Sequence, residues 1–150
     1  IFCTGKERKA SEILREQDGK SKNNDADMTQ NLHQIKDIGI KTKECLMKGY
    51  VDMFGELLHI HWEAKKKRSS KMTNASIDEC YESARKTGAS GGKLIGAGGG
   101  GFLMLYCPNG SKLKVAQALN KLGLRRERFL IDWDGARIML NTKTSPYYIQ

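Results

Sequence analysis

The sequence lacks any long hydrophobic segment. No apolar run in its 150 residues approaches the roughly 18 residues that cross a bilayer as a helix. A pattern typical of a signal peptide is also missing. We therefore expect no membrane partner, and a single domain with enough chain to bury a hydrophobic core.

Closely spaced cysteines are missing as well. The four cysteines are Cys3, Cys45, Cys80 and Cys107, and no two of them form the C-x-x-C pair of zinc or redox sites. Each lies in an apolar stretch, which is typical of buried, reduced thiols. The pattern favours a cytoplasmic protein.

Histidines at the spacing of a metal site are equally scarce. His59 and His61 are two residues apart, so they cannot share one face of a helix. A two-histidine metal site is therefore not expected.

Acidic residues are outnumbered by basic ones. The sequence has 26 Lys and Arg against 17 Asp and Glu, which gives a net charge of +9. The densest basic block, residues 65–68, lies at the end of a predicted helix, where cations offset the helix dipole. No aromatic residues alternate with it to stack on bases. We interpret the block as a solvated helix end, with substrate steering as the alternative, and expect no nucleic-acid partner.

The two common phosphate-binding motifs are absent. Gly92-Lys93 is followed by Leu94, and Thr87 stands where a Walker loop needs its first glycine. Residues 96–101 match the letters of the dinucleotide pattern G-x-G-x-x-G. That pattern must open a helix, whereas here a strand-like run follows.

What the sequence does contain is a dense glycine cluster. Eight of its 16 glycines fall within residues 88–101, directly before the apolar run at residues 102–107. Ordered glycine loses more backbone entropy than other residues, so such a cluster needs a reason. Consecutive backbone N–H groups in a turn form a concave site for anions such as phosphate. The cluster is therefore the predicted functional site.

Helical periodicity dominates the middle of the chain. Apolar and small residues step by three or four from Met28 to Ala64. One straight helix of that length would measure about 60 Å at 1.5 Å per residue, so a break is expected at residues 49–52. A third helix is predicted from a capping box formed by Ser76 and Glu79.

The remaining elements are shorter. A weakly amphipathic helix is predicted to end at Asp18-Gly19, and another to run from Ser111 to Gly123. A hairpin is predicted around Asp134-Gly135. The predicted strands include residues 1–5, 102–107, 129–131 and 136–140.

This order of elements predicts an α+β fold, an antiparallel sheet with helices packed on one face. Residues 1–141 are assigned to one domain and residues 142–150 to a C-terminal tail. Because Ile1 begins a strand-like segment, we expect the chain to be part of a longer protein.

The glycine cluster and its strand carry a resemblance to a known family. The stretch G-A-S-G-G-K-L-I-G-A-G-G-G-G-F-L-M-L-Y, residues 88–106, resembles the third conserved motif of the GHMP kinases. The segment T-G-x-x-R-x-A-S-x-I-L at residues 4–14, the W-x-x-K-K at residues 62–66 and the D-G-A-R-I at residues 134–138 are similar to the family's C-terminal, ferredoxin-like domain. Within the superfamily, these segments look most like the sugar kinases that act on D-glycero-D-manno-heptose 7-phosphate.

The resemblance implies an ATP-dependent transfer of the γ-phosphoryl group to a sugar-phosphate hydroxyl. It also implies that an N-terminal kinase half supplies the ATP phosphate loop, the Mg²⁺ ligand and the catalytic group, so no catalytic residue or metal ligand is assigned here. The implied partners are ATP, a sugar phosphate and that N-terminal half, and a homodimer is a further expectation. The alternatives are another acceptor, such as galactose, fucose or a mevalonate-type alcohol, or a non-catalytic binding module.

The resemblance also implies which residues of this chain form the site. The glycine loop would lie at the cleft between the two halves of the kinase, where its N–H groups support the ATP phosphate loop or face the acceptor sugar. Residues implied to contact the nucleotide are Gly96, Ala97, Gly98, Gly99, Gly100 and Gly101. Residues implied to contact the acceptor are Gly91, Gly92, Lys93, Arg8 and Ser11. The alternatives are that Lys93 extends to solvent from its strand and that Arg8 and Ser11 are surface residues of a helix.

Overall fold

The computed structural model describes residues 1–5, 9–23 and 25–137. These residues form five α-helices and four β-strands. In chain order the elements are β1 Phe2–Cys3, α1 Ala10–Lys22, α2 Ala26–Met47, α3 Val51–Lys66, α4 Ala75–Lys86, β2 Gly91–Ile95, β3 Phe102–Tyr106, α5 Lys112–Lys121 and β4 Arg125–Arg126.

The four strands form one sheet in the order β2-β3-β1-β4. All neighbouring strands are antiparallel. Phe2 pairs with Leu103, and Leu103 pairs with Leu94, so these three side chains lie next to one another on one face of the sheet. The predicted α+β fold with an antiparallel sheet is confirmed.

The main core lies between this face of the sheet and the helices. Trp62 of α3 and Tyr81 of α4 are its largest side chains, and both are buried with ring centroids 6.1 Å apart. The other buried members are Phe2, Ile13, Met72, Ile77, Cys80, Ala84, Ala89, Leu94, Leu103, Val115, Ala116, Leu119 and Leu124. Apolar residues of four helices, α1, α3, α4 and α5, therefore meet those of the sheet in one cluster.

The predicted break in the long helical stripe is confirmed. The helix α2 ends at Met47, α3 begins at Val51, and Gly49 between them has a positive φ of 74°. The two helices pack together through a second buried cluster that includes Ile38 and Leu57. Among the described residues, no helix combines the length and the apolar character needed to cross a membrane.

Two predicted helix ends are wrong. The helix α1 does not end at Asp18-Gly19 but continues to Lys22, because ion pairs one turn apart, such as Lys22 with Asp18 at 2.7 Å, stabilise its last turn. The helix α4 does not begin with the capping box of Ser76 and Glu79. Asn74 precedes the helix in an extended conformation, and its side chain accepts a hydrogen bond from the backbone N–H of Ile77.

The end of the described chain also differs from the prediction. Residues 129–131 do not form a strand, and Leu130 is 97% exposed. The last strand is instead β4, Arg125–Arg126, because β1 offers only Phe2 and Cys3 for pairing. Residues 138–150, which hold most of the second predicted strand, the domain boundary at 141 and the predicted tail, lie outside the described residues.

Candidate functional site

The glycine loop, residues 96–101, connects β2 to β3. Four of its residues have positive φ angles: Gly96 at 86°, Gly98 at 110°, Gly99 at 73° and Gly101 at 88°. Residues with a Cβ atom rarely adopt such angles. The backbone conformation therefore explains why glycine is used at these positions.

Two neighbouring segments fix the loop. The N–H of Gly99 donates to the carbonyl oxygen of Met72 at 2.7 Å. The backbone N–H and the hydroxyl of Thr4 both donate to the carbonyl oxygen of Gly101, at 2.8 and 2.9 Å. Within the described part of the chain, the N–H groups of Ala97, Gly98 and Gly100 donate to no backbone carbonyl. Ala97 and Gly98 are half-buried, whereas Gly100 is buried, so the first two amides are the ones available to an anion.

A buried lysine holds the start of the loop. The Nζ of Lys65 donates to the carbonyl oxygen of Gly96 at 2.6 Å and to that of Leu94 at 3.2 Å. Lys65 is only 7% exposed, so the interpretation of residues 65–68 as a solvated helix end is wrong at this position. Burial, followed by the positive charges of Lys93 and Arg68, lowers the pKa of Lys65 to about 8.

Lys93 lies beside this lysine and contacts a histidine of α3. Its Nζ is 3.2 Å from Nδ1 of His61. Burial and the charges of Lys93, Lys65 and Arg68 lower the pKa of His61 to about 4. The imidazole is therefore neutral at neutral pH, and Nδ1 accepts a hydrogen bond from the ammonium group of Lys93.

His59, the other histidine of the pair for which no metal site was expected, has a separate partner. His59 Nδ1 lies 2.8 Å from the hydroxyl of Tyr81, and the two rings are stacked. Burial raises the pKa of that tyrosine hydroxyl. Within the described ranges, no group of three or more His, Cys, Asp or Glu side chains could hold a metal ion.

The predicted acceptor-binding residues occupy different environments. Gly91 and Gly92 are buried in β2, where a Cβ on Gly91 would contact the carbonyl oxygen of Gly55 in α3. The structure thus gives both glycines a packing role, and their contact with substrate stays a prediction. Ser11 is exposed in the first turn of α1, and Arg8 lies outside the described residues.

Sequence reasoning missed three residues of this region. His61, Lys65 and Arg68 follow one another at spacings of four and three, which places them on one side of α3 and the turn after it. That spacing was visible in the sequence. Its meaning was not, because the opposing residue, Lys93, is on a strand 25 or more positions later.

Acid should destabilise the fold through His61. Its pKa is about 6.5 in an unfolded chain and about 4 here, so the unfolded state takes up the proton first. The stabilisation is complete above pH 6.5 and is lost as the pH falls toward 4. The free energy of unfolding should fall by about 1 kcal/mol over this range, after allowance for solvent screening. Urea unfolding at pH 7, 5.5 and 4.5 measures it. His61→Gln should flatten this dependence, and His33→Gln, at an exposed position of α2, should not. An unchanged slope in His61→Gln would contradict the assignment.

Comparison with known proteins adds three findings. The family model described as "GHMP kinases C terminal" matches residues 42–124. The chain is similar to D-glycero-alpha-D-manno-heptose 7-phosphate kinase of Campylobacter jejuni subsp. jejuni serotype O:2, with 31% identity over 121 residues, covering 81% of this chain and 35% of that protein. It is also similar to the bifunctional fucokinase/GDP-fucose pyrophosphorylase of Arabidopsis thaliana, with 26% identity over 114 residues, covering 76% of this chain and 11% of that protein.

The fold has a counterpart among solved structures. The crystal structure of L. major mevalonate kinase in complex with R-mevalonate aligns with a TM-score of 0.72 and 17% sequence identity. The alignment covers 80% of this chain and 36% of that one. The chain thus spans about a third or less of the length of the proteins that it matches.

Proposed function

The chain belongs to the GHMP kinase family, whose C-terminal domain it matches over residues 42–124, and from that premise we propose that it forms one side of the active-site cleft of an ATP-dependent sugar kinase. The proposed reaction transfers the γ-phosphoryl group of ATP to a hydroxyl group of a sugar phosphate. The similarity to a heptose 7-phosphate kinase supports this acceptor class. The free cysteines support a cytoplasmic location.

The observation that carries the proposal is the conformation of the glycine loop. Positive φ angles at Gly96, Gly98, Gly99 and Gly101 present the backbone without side chains, and three loop amides donate to no backbone carbonyl of the described chain. Phosphoryl transfer depends on positioning and on neutralising the negative charge of the transferred group. Preorganised amides supply both without reorganising during the reaction.

The chain's own residues have distinct roles in this proposal. Residues 96–101 lie against the phosphates of the nucleotide. Lys65 holds Gly96, the first residue of this loop, in place by donating to its carbonyl oxygen. Lys93, Ser11, Arg8 and the segment Gly91-Gly92 are assigned to the acceptor side of the cleft. Mg²⁺ would screen the phosphate charges when bound with ATP. The described residues offer no cluster of ligands for it, so no step is assigned to the metal here.

The acceptor assignment is tested with the full-length protein. ADP release from Mg-ATP should be fastest with a heptose 7-phosphate or a related sugar phosphate. Galactose, fucose and mevalonate serve as the comparison acceptors. If one of these three is clearly preferred, it replaces the sugar phosphate as the assigned acceptor, and the reaction type stays the same. ATP turnover with none of the panel would contradict the proposed function.

The isolated chain should bind Mg-ATP weakly or not at all. The proposal assigns the ATP phosphate loop to the N-terminal kinase half, and the glycine loop alone provides only part of the phosphate contacts. Isothermal titration of the chain with Mg-ATP measures this directly, with the full-length protein as the positive control. Micromolar affinity of the isolated chain would overturn this division of roles.

A further inference from the structure

Two lysines, Lys65 and Lys93, lie at the stem of the glycine loop. Arg68 follows Lys65 by one turn and also lines a surface cavity with Asp25 and Asp27. Lys65 is buried, and Arg68 and Lys93 are half-buried. In the described ranges, none of the three forms an ion pair with a carboxylate. Their neighbours in sequence do form such pairs: Lys66 with Glu63 at 2.7 Å and Lys71 with Glu12 at 3.7 Å. The unpaired charges are therefore a local property of this group rather than a result of the chain's net charge.

The group comes together from two elements. His61, Lys65 and Arg68 lie on one side of α3 and the turn that follows it, and Lys93 approaches from β2. The contact between Lys93 Nζ and His61 Nδ1 at 3.2 Å joins the two elements. The Nε of Arg68 is buried and has no hydrogen-bond partner among the described residues. We call His61, Lys65, Arg68 and Lys93 the basic cluster.

Such an arrangement is costly without an anion. Like charges withdrawn from water repel one another, and a buried charge is stable only when it is paired. The chain shows this cost, because burial lowers the pKa of Lys93 and of Arg68 as well as that of Lys65. A phosphate group would remove both the repulsion and the unsatisfied donor. Arginine offers it a fork of N–H groups, and lysine offers a point charge.

We propose that the basic cluster is the subsite that binds the phosphate monoester of a phosphorylated sugar acceptor, next to the glycine loop. The nature of the acceptor rests on the proposed function, whereas the anion site itself rests on the contacts, burial and charges of the cluster. Lys93 and Arg68 donate hydrogen bonds to the phosphate oxygens. Lys65 contributes its charge and connects the bound anion to the loop, since two of its three N–H groups already hold Leu94 and Gly96.

His61 serves as an internal reporter of the bound anion. The charges that face it are those of Lys93 from β2, and of Lys65 and Arg68 from α3 and the turn after it. A phosphate anion at this place offsets these charges. The pKa of His61 should therefore rise from about 4 toward its usual value when phosphate binds. A purely structural role of the cluster would leave this pKa unchanged.

Inorganic phosphate is the first probe. NMR titration of the full 150-residue chain gives both the phosphate affinity and the His61 pKa with and without phosphate. Lys93→Met and Arg68→Met should each weaken binding by about tenfold or more, the usual loss of a hydrogen bond to a charged group. Lys114→Met removes the same charge from an exposed position of α5 and should change binding by less than about twofold.

The control variants decide the outcome. Lys93→Arg retains the charge, and it should bind phosphate more tightly than the methionine variant does. Circular dichroism and urea unfolding confirm that each variant is folded. An equal loss in Lys93→Met and Lys114→Met would mean that net charge alone attracts phosphate. That result, or an unchanged His61 pKa at saturating phosphate, overturns the proposal.

Kinetics of the full-length protein test which phosphate the cluster binds. In Lys93→Met, KM for the phosphorylated acceptor should rise about tenfold or more. KM for Mg-ATP, and KM for the same sugar without its phosphate, should stay within about twofold. A rise confined to KM for Mg-ATP would assign the cluster to the nucleotide and overturn the proposal. Absence of phosphotransfer with every acceptor would refute the proposed function, and the phosphate titration would still decide the anion site.

Discussion

Replacing Gly98 by alanine should reduce the phosphotransfer proposed for the full-length protein about 100-fold, the loss typical of a misplacement near 1 Å. The residue has a φ of 110°. A Cβ there would contact the sulfur of Met72 and lie 3.2 Å from its carbonyl oxygen. The same carbonyl holds the loop through Gly99, so the new methyl group displaces the loop from its anchor. The free energy of unfolding should fall by about 2–4 kcal/mol, the sum of backbone strain and overpacking.

Gly96 offers a matched control within the same loop. It has a similarly positive φ of 86°, but a Cβ there would meet no atom within 4 Å. Gly96→Ala should therefore show backbone strain alone, about 1–2 kcal/mol. Urea unfolding and steady-state kinetics of the two variants measure the difference. Equal losses in both would mean that the contact with Met72 does not position the loop.

The second large effect is expected at Gly91. Its α-carbon faces the carbonyl oxygen of Gly55 in α3. A Cβ on Gly55 would in turn lie 2.6 Å from the ring of Tyr106. These two glycines let α3 lie directly against β2. Gly91→Ala would press a methyl group against backbone atoms, which cannot rotate away. We expect a loss of about 3 kcal/mol or more, at the upper end of overpacking effects.

The effect of Gly91→Ala extends to the basic cluster, because the same packing brings Lys93 to His61. Urea unfolding measures the stability, and the pKa of His61 reports the distance between Lys93 and His61. Gly39→Ala is the control, since this glycine lies within α2 and a Cβ there would meet nothing within 4 Å. It should stabilise the helix by about 0.5–1 kcal/mol. Tolerance of alanine at both positions would contradict the close approach of α3 and β2.

Features encoded by local sequence were predicted correctly. The break between α2 and α3 coincides with Gly49, and α5 ends just before Gly123, which has a positive φ of 83°. In both cases one glycine and its neighbours in sequence determine the backbone conformation that ends the helix. The glycine loop is intermediate, because its residues permit left-handed angles while contacts with Met72 and Thr4 fix its position. Its role in binding stays a prediction.

Features that depend on distant contacts were not predictable in this way. Lys65 belongs to a run of charges typical of a solvated surface, and only its hydrogen bond to Gly96, 31 positions later, shows that it is buried. The strand β4 is two arginines, which no strand pattern would select over residues 129–131. Its pairing is decided by Phe2 and Cys3 at the other end of the chain. A single sequence does not show which distant segments meet.

The link between Thr4 and Gly101 also orders the assembly of the molecule. These residues are 97 positions apart, and joining them closes a loop that contains most of the described chain, which is entropically demanding and slow. The helices α2 and α3 are neighbours in sequence and can associate early. The glycine loop receives its anchor from Thr4 only when β1 pairs with β3, so we expect the proposed binding surface to form late in folding.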